Sequence, residues 1–293
     1  MLKKALSVVL LMAVIPVASA TAVLNGPLDI LITNDDGFDT PGIRALHRSF
    51  SEAGHNVKIV APSKNFSGSS ASMTFNAIEV KEVEPDIYSV AGSPATTVVV
   101  GASAIFPADN QPDLVISGIN EGANLGPAAT MSGTVGATIS AMNVLPTPIP
   151  AIAISTNVIG EDPHSQENLI MVDQISKFMV RLVETLRDKN SRLLPKGLAL
   201  NVNYPPLPQE EIKGIQNSRQ GQVPFFNIAF KKVAPDLYAP SFSLPEEAGK
   251  DVKRSDTVGF NEGYITIVPI DGDYTAGFFK RHKIATDIRD LTP

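Results

Sequence analysis

Four short polar segments hold the side chains able to do chemistry. "NDDG" at 34–37 sets Asn34 and two adjoining carboxylates, Asp35 and Asp36, directly after a mostly apolar run. "SKNFSGSSASMT" at 63–74 is rich in glycine and hydroxyls, Ser67 among them. "SGINEGANLG" at 117–126 carries Asn120 and Asn124, and "MSGTVGA" at 131–137 carries Ser132, Gly133 and Thr134. Carboxylates with hydroxyl and amide oxygens are the hard donor set that Mg²⁺ or Mn²⁺ prefers. A cation would also let two adjacent carboxylates stay ionised together. Ser132-Gly133-Thr134 at a helix start offers free N–H groups, two hydroxyls and the positive end of a helix dipole, which favour an anion. Together these suit a phosphomonoester held between metal and helix, the metal polarising the phosphoryl group and activating water. Each piece has a plainer reading: "NDDG" as a turn or cap, "SGT" as an N-cap, the serines as solvated, and Gly118, Gly122 and Gly126 as a tight loop. The chemical reading depends on their meeting in one place.

The elements between them bring that about. Residues 28–33 are strand-like. Thr40 and Pro41 then read as an N-cap and first helical position, and Ile43, Leu46 and Phe50 follow at helical spacing towards a stop at Gly54. "NVKIVAP" at 56–62 is the next strand, closing a βαβ unit. Short strands are expected in "NAIEVKEV" and "DIYSVAG", and a helix opening at Ser93-Pro94. A strand follows at 112–118, a helix at 132–145 with Gly133 and Gly136 weakening its first turn, and a strand at 150–156. A long helix at 168–189 and a strand at 196–205 complete the alternation, which implies an α/β fold with a mostly parallel sheet. In such sheets ligands bind outside the carboxyl ends of the strands, and all four polar segments fall at that predicted edge. From Pro205 the character changes to short strand-like pieces, read as a smaller β-rich part over 206–262, with 263–270 pairing back near the main body.

Other chemistries lack their signatures. There is no G-x-G-x-x-G after a strand, no phosphate loop with Gly-Lys-Ser/Thr, and no serine in G-x-S-x-G. His47, His55, His164 and His282 lie outside the four loops, which argues against a histidine triad or zinc site. The 293 residues carry a formal charge of −6 without a basic block, so polymeric nucleic acid is not an expected partner. Cysteine is absent, excluding disulfides and thiolate metal sites. Lys3 and Lys4, the 13-residue apolar run "ALSVVLLMAVIPV" and "ASA" at 18–20 form the three parts of a secretory signal peptide. The run is short of the roughly 20 residues a membrane span needs. The expectation is cleavage after Ala20, with Ala22 as the alternative, and a periplasmic or secreted protein with no membrane segment after cleavage.

These segments, with "ILITNDDGFDTPGI", "AGSPAT", "PDLVISGINEGANLG", "SGTVGA" and "PAIAIS" in this order, resemble the SurE (survival protein E) nucleotidases over nearly the whole chain after residue 20. The resemblance implies a Rossmann-like domain over 21–205, helices on both faces of its sheet, and a C-terminal β-rich subdomain and oligomerisation arm over 206–293. It implies a divalent-metal-dependent phosphatase acting on nucleoside monophosphates at the 5′ or 3′ position, as a homodimer or homotetramer. Asp35, Asp36, Ser67 and Asn120 would be the metal ligands, with Asp35 and Asp36 catalytic. Ser132, Gly133 and Thr134 would bind phosphate, with Asn34 and Asn124 in the site wall. Departures from the family pattern occur at Met131, where an aromatic is usual, at Ser140 and Ala141, and at Thr96 and Thr97, which replace Asp and Cys. A non-catalytic periplasmic nucleotide- or phosphate-binding protein is the alternative reading.

Overall fold

The computed structural model describes residues 26–189, 192–243 and 250–289; the expected signal peptide at 1–20 lies outside them. A nine-stranded sheet forms the centre, in the order β3-β4-β2-β1-β5-β6-β7-β11-β8. Strands β1 (Asp29–Thr33), β2 (Asn56–Pro62), β4 (Ile87–Val90), β5 (Leu114–Asn120), β6 (Ala151–Ser155) and β7 (Ala199–Asn203) run parallel. At the edges β3 (Val80–Glu84) pairs antiparallel with β4, and β11 (Tyr264–Ile270) antiparallel with β7 but parallel with β8 (Gly214–Asn217). The fold class expected from the alternation is therefore present.

Side-chain alternation along β1 shows why the sheet needs cover on both faces. Ile30 and Ile32 enter one core with Leu46 and Phe50 of helix α1 (Pro41–Glu52) and Ile175 and Met179 of α4 (Gln166–Lys189). Leu31, between them, enters the opposite core with Val98 of α2 (Pro94–Val100) and Ala137 and Ala141 of α3 (Gly133–Asn143). The helix opening at Ser93-Pro94 is present as α2 and continues into one π-helical turn, Gly101–Ile105.

Two expected N-caps have other duties. Thr40 and Ser93 have extended cap dihedrals, yet neither side chain caps its helix. The Thr40 hydroxyl instead accepts from Asn34 Nδ2 at 3.1 Å, and the Ser93 hydroxyl donates to the Ser72 carbonyl. Both tie loops of the polar edge to the helices beside them.

The C-terminal segments divide between two sheets. β8 and β11 extend the main sheet, so 263–270 does pair back as the pattern suggests. Among the described residues, only β9 (Asn227–Ala234) and β10 (Leu237–Ser243) stand apart, as an antiparallel hairpin. Two further helices follow, α5 (Asp256–Asn261) before β11 and α6 (Phe278–Asp287) after it, α6 burying none of its residues. Among the described residues no helix is long and apolar enough to cross a membrane.

Candidate metal and phosphate site

Strand order reverses at β1: the chain leaves it through α1 to β2 on one side, while β5 lies on the other. A crevice opens at such a switch point because the neighbouring crossovers diverge. Asp35 and Asp36 stand at the end of β1, and Asn120 at the end of β5 beside it.

Asn34 holds the turn that presents the two carboxylates. Its amide donates to the Gly37 carbonyl at 2.8 Å and accepts from the Gly37 N–H at 3.1 Å. This is the side-chain turn mimicry that favours asparagine there. The SurE resemblance implies a place for Asn34 in the site wall; its side chain is engaged in the turn.

Asp35 is 3% exposed and accepts a hydrogen bond from the Thr134 hydroxyl. Burial pushes its pKa up, while that hydroxyl and the N–H groups of Thr134 and Gly133 pull the other way. The first turn of α3 therefore already faces an acidic group, the protein's own Asp35 carboxyl. Gly133 is required for the approach: a Cβ there would lie 2.7 Å from Ser69 Oγ and 2.9 Å from Asp35 Oδ2. Ser132 caps α3, its Oγ accepting from the Val135 N–H at 3.1 Å. Gly136, suspected of weakening the turn, is needed because a Cβ there would sit 2.1 Å from the Ser70 carbonyl oxygen.

Asp36 is half-buried and accepts the Glu121 N–H at 3.2 Å. Burial, then the charge of Asp35, then that of Glu121 push its pKa up to about 8. Among the described residues no basic side chain offsets these charges. Glu121 is itself pushed up by burial, with His164 acting in the opposite direction.

The remaining predicted residues divide. Asn120 donates its amide to the Gly122 carbonyl, which leaves Oδ1 for a donor or a cation. Ser67 is exposed at the rim, one residue after Phe66, whose N–H donates to the Asp35 carbonyl at 2.7 Å. Asn124 is buried and largely engaged: its N–H goes to Asn203, its side chain to Ser155 at 2.8 Å, and its carbonyl accepts from Asn201 and Asn203. Thr96 and Thr97 are buried links, Thr97 Oγ1 lying 2.6 Å from Thr33 Oγ1 and Thr96 Oγ1 accepting from the Thr74 N–H.

Ser69, whose plain sequence reading is a solvated loop serine, instead has its hydroxyl buried without a hydrogen-bond partner, beside Asp35 and Gly133. Asn157, Asn201 and Asn203 are not among the residues expected from sequence. Asn157 holds the Ala123 N–H at 2.8 Å. Asn201 and Asn203, at alternate positions of a fully buried strand, were a readable signal, since a buried amide needs polar company.

The donor set fits a divalent cation. Two carboxylates with raised pKa values, no counter-charge on Asp36, an orphan hydroxyl and a spare amide oxygen are what a hard cation would satisfy. Among the described residues no group of three or more His, Asp or Glu side chains is placed to hold a metal ion. A cation here would therefore rely on neutral oxygens beyond the two aspartates. Next to the α3 start lies an apolar pocket of about 270 Å³, lined by Pro127, Met131, Phe225, Phe226 and Ile228 among others.

Residues 30–226 match the family model described as "Survival protein SurE". A protein named 5'-nucleotidase SurE from Aquifex aeolicus (strain VF5) is 37% identical over 248 residues, 84% of this chain and 92% of the relative. Another so named, from Marinomonas sp. (strain MWYL1), is 34% identical over 252 residues, with the same shares covered. The crystal structure of the SurE protein from Aquifex aeolicus superposes with a TM-score of 0.73 at 32% identity, covering 89% of this chain and 99% of that one. With the aspartate pair, the "SGIN" strand end and the "SGTVGA" helix start in one crevice, this chain belongs to the SurE family.

Proposed function

We propose that this protein is a divalent-metal-dependent phosphomonoesterase that hydrolyses nucleoside monophosphates. Membership of a family whose relatives are named 5'-nucleotidase supports the nucleotidase activity. The observation that carries the metal dependence is electrostatic: Asp35 and Asp36 adjoin in a buried crevice, and the charges acting on Asp36 are negative. A phosphate brought to the α3 start would meet two carboxylates, and like charges so close are costly without a cation.

Asp35, Asp36 and Asn120 would hold the cation, with Ser67 reaching in from the rim and Mg²⁺ or Mn²⁺ as the fitting ions. Bound there, the cation would neutralise and polarise the phosphoryl oxygens and make water a better nucleophile. The protein's own groups do the rest. Thr134 fixes the rotamer of Asp35 through its hydroxyl. Ser132 holds the first turn of α3 so that its dipole end faces the phosphate. The Met131–Phe225–Phe226 pocket, whose Met131 directly precedes Ser132, offers an apolar surface to the nucleoside. Water attacks phosphorus as the ester P–O bond breaks, and the proton lost by the water passes to the leaving oxygen, so the products are inorganic phosphate and the nucleoside as a neutral alcohol.

The chain is further proposed to be exported through residues 1–20 and to self-associate through the β9–β10 hairpin. Ile228, Phe230, Val233, Tyr238 and Phe242 of that hairpin are all exposed. N-terminal sequencing of exported protein that found Met1 would refute export.

Phosphate release from nucleoside monophosphates and from an aryl phosphate, in EDTA and then in Mg²⁺ or Mn²⁺, tests the enzymatic reading. Metal-restored release is expected. No release from any substrate would overturn it in favour of a binding protein.

A further inference from the structure

Besides the side chain and carbonyl of Asn124, three backbone N–H groups hold the loop 121–126. Glu121 donates to Asp36, Ala123 to Asn157 and Asn124 to Asn203, all partners at or just beyond the strand ends of the main sheet. The last anchor is of a different kind. The Gly126 N–H points between the two oxygens of Asp256, at 3.1 and 3.2 Å. Asp256 opens α5, 130 residues later in the chain, and is fully buried. The same carboxylate accepts the Gly221 N–H at 2.8 Å and the Thr257 N–H at 2.8 Å. Gln220 closes the arrangement by donating to the Gly126 carbonyl at 2.9 Å. Both backbone polar groups of Gly126 thus belong to the segment that leads into the β9–β10 hairpin and to α5.

Gly126 begins the 3₁₀ turn Gly126–Thr130, which runs through Met131 into Ser132 and α3. Packing there is close: a Cβ on Gly126 would lie 3.0 Å from the Val223 carbonyl oxygen, and one on Gly221 2.8 Å from Ser255 Oγ. We propose that Asp256 is a positioning residue for the reaction, clamping Gly126 to Gly221 so that the chain entering α3 is held in register with Asp35 and Asp36. The inference rests on the proposed phosphatase reading. Asp256 touches none of the reacting atoms; it acts through the 126–134 segment. Removing one oxygen leaves a buried N–H without its acceptor, and the 126–134 segment is expected to answer by moving.

Asp256→Asn keeps the shape but turns one acceptor into a donor facing N–H groups. With metal present and an aryl phosphate as substrate, kcat is expected to fall at least tenfold with little change in KM. Amide hydrogen exchange of 121–134 should quicken at least tenfold while β1 and β5 keep wild-type protection. Gln220→Ala, which frees only the carbonyl of Gly126, should quicken the same segment about threefold, and the double variant should lose less than the product of the two single effects. Unchanged exchange at 121–134 in both variants, or equal quickening across the whole chain, would overturn the proposal. Should Asp256→Asn fail to fold, the Gln220→Ala exchange pattern decides alone. Absence of wild-type phosphate release would sink the phosphatase reading, whereas the exchange data would still decide what Asp256 does.

Discussion

The substitution Asp36→Asn offers the sharpest test, because it should stabilise the metal-free protein and abolish its response to metal. In the folded chain burial, Asp35 and Glu121 push Asp36 up to about 8, from an ordinary value of 3.8. The folded state then keeps a proton that the unfolded state releases from about pH 4 upward. Stability from this group is whole below about pH 4 and declines as pH rises towards 8. At 1.36 kcal/mol per pH unit, the full difference at pH 7 is about 4 kcal/mol; water reaching part of the carboxylate reduces it to about 2–4 kcal/mol. Asparagine keeps the shape of the neutral acid and bears no such cost, and its Oδ1 can still accept the Glu121 N–H. In EDTA at pH 7 the variant should therefore melt higher than wild type, by roughly 2–4 °C per kcal/mol for a chain of this size. The advantage should vanish near pH 4. Excess Mn²⁺ should reverse the order, raising the wild-type midpoint and leaving Asp36→Asn unmoved. Metal affinity of the wild type should rise about tenfold per unit between pH 6 and 7, since binding displaces one proton. Differential scanning calorimetry across pH, with and without metal, reads all of this. A variant no more stable than wild type in EDTA at pH 7, or equal metal stabilisation of both, would refute the electrostatic reasoning.

Further expectations attach to single residues. Gly133→Ala puts a methyl 2.7 Å from Ser69 Oγ and 2.9 Å from Asp35 Oδ2; metal-dependent phosphate release should fall by at least a hundredfold, and near-wild-type release would show the cradle is not the site. Thr134→Val removes the hydroxyl bonded to Asp35 in a fully buried place; about 1–3 kcal/mol of stability should be lost at pH 7 in urea titrations. Ser132→Ala deletes the α3 cap and should cost about 1 kcal/mol, with a drop in kcat that a purely structural cap would not produce. Phe225→Ala opens the apolar pocket beside Met131; KM for nucleoside monophosphates should rise several-fold while that for inorganic tripolyphosphate stays put, and parallel changes would remove the pocket from substrate binding.

Much of the site was readable because its parts announce themselves over a few residues. An apolar run ending in "NDDG" is a strand delivering polar groups to an edge, and "SGTVGA" is a capped helix start. Their meeting followed from the rule that parallel strands share one carboxyl edge. The reading failed where a side chain had two plausible employers. Asn34 and Asn124 look alike in sequence as amides in glycine-rich loops, yet Asn34 serves its own turn and Asn124 is tied to Ser155 and the β7 asparagines. Thr40 and Ser93 read as helix caps, but loops packed beside them claimed their hydroxyls. Ser69 was hidden among four neighbouring serines, and only burial without a partner distinguishes it.

By itself the sequence determined the α/β alternation, the edge at which polar loops gather and the hard-oxygen donor types, since these depend on local periodicity and residue chemistry. Only the tertiary structure decided that β8 and β11 join the main sheet while β9 and β10 leave it, and that Gly126 is held by Asp256 from 130 residues away. It also decided that Asp35 sits on the α3 dipole end with like charges around Asp36. Such facts depend on distances between groups remote in the chain and on the water excluded between them, and neither quantity is written in local sequence.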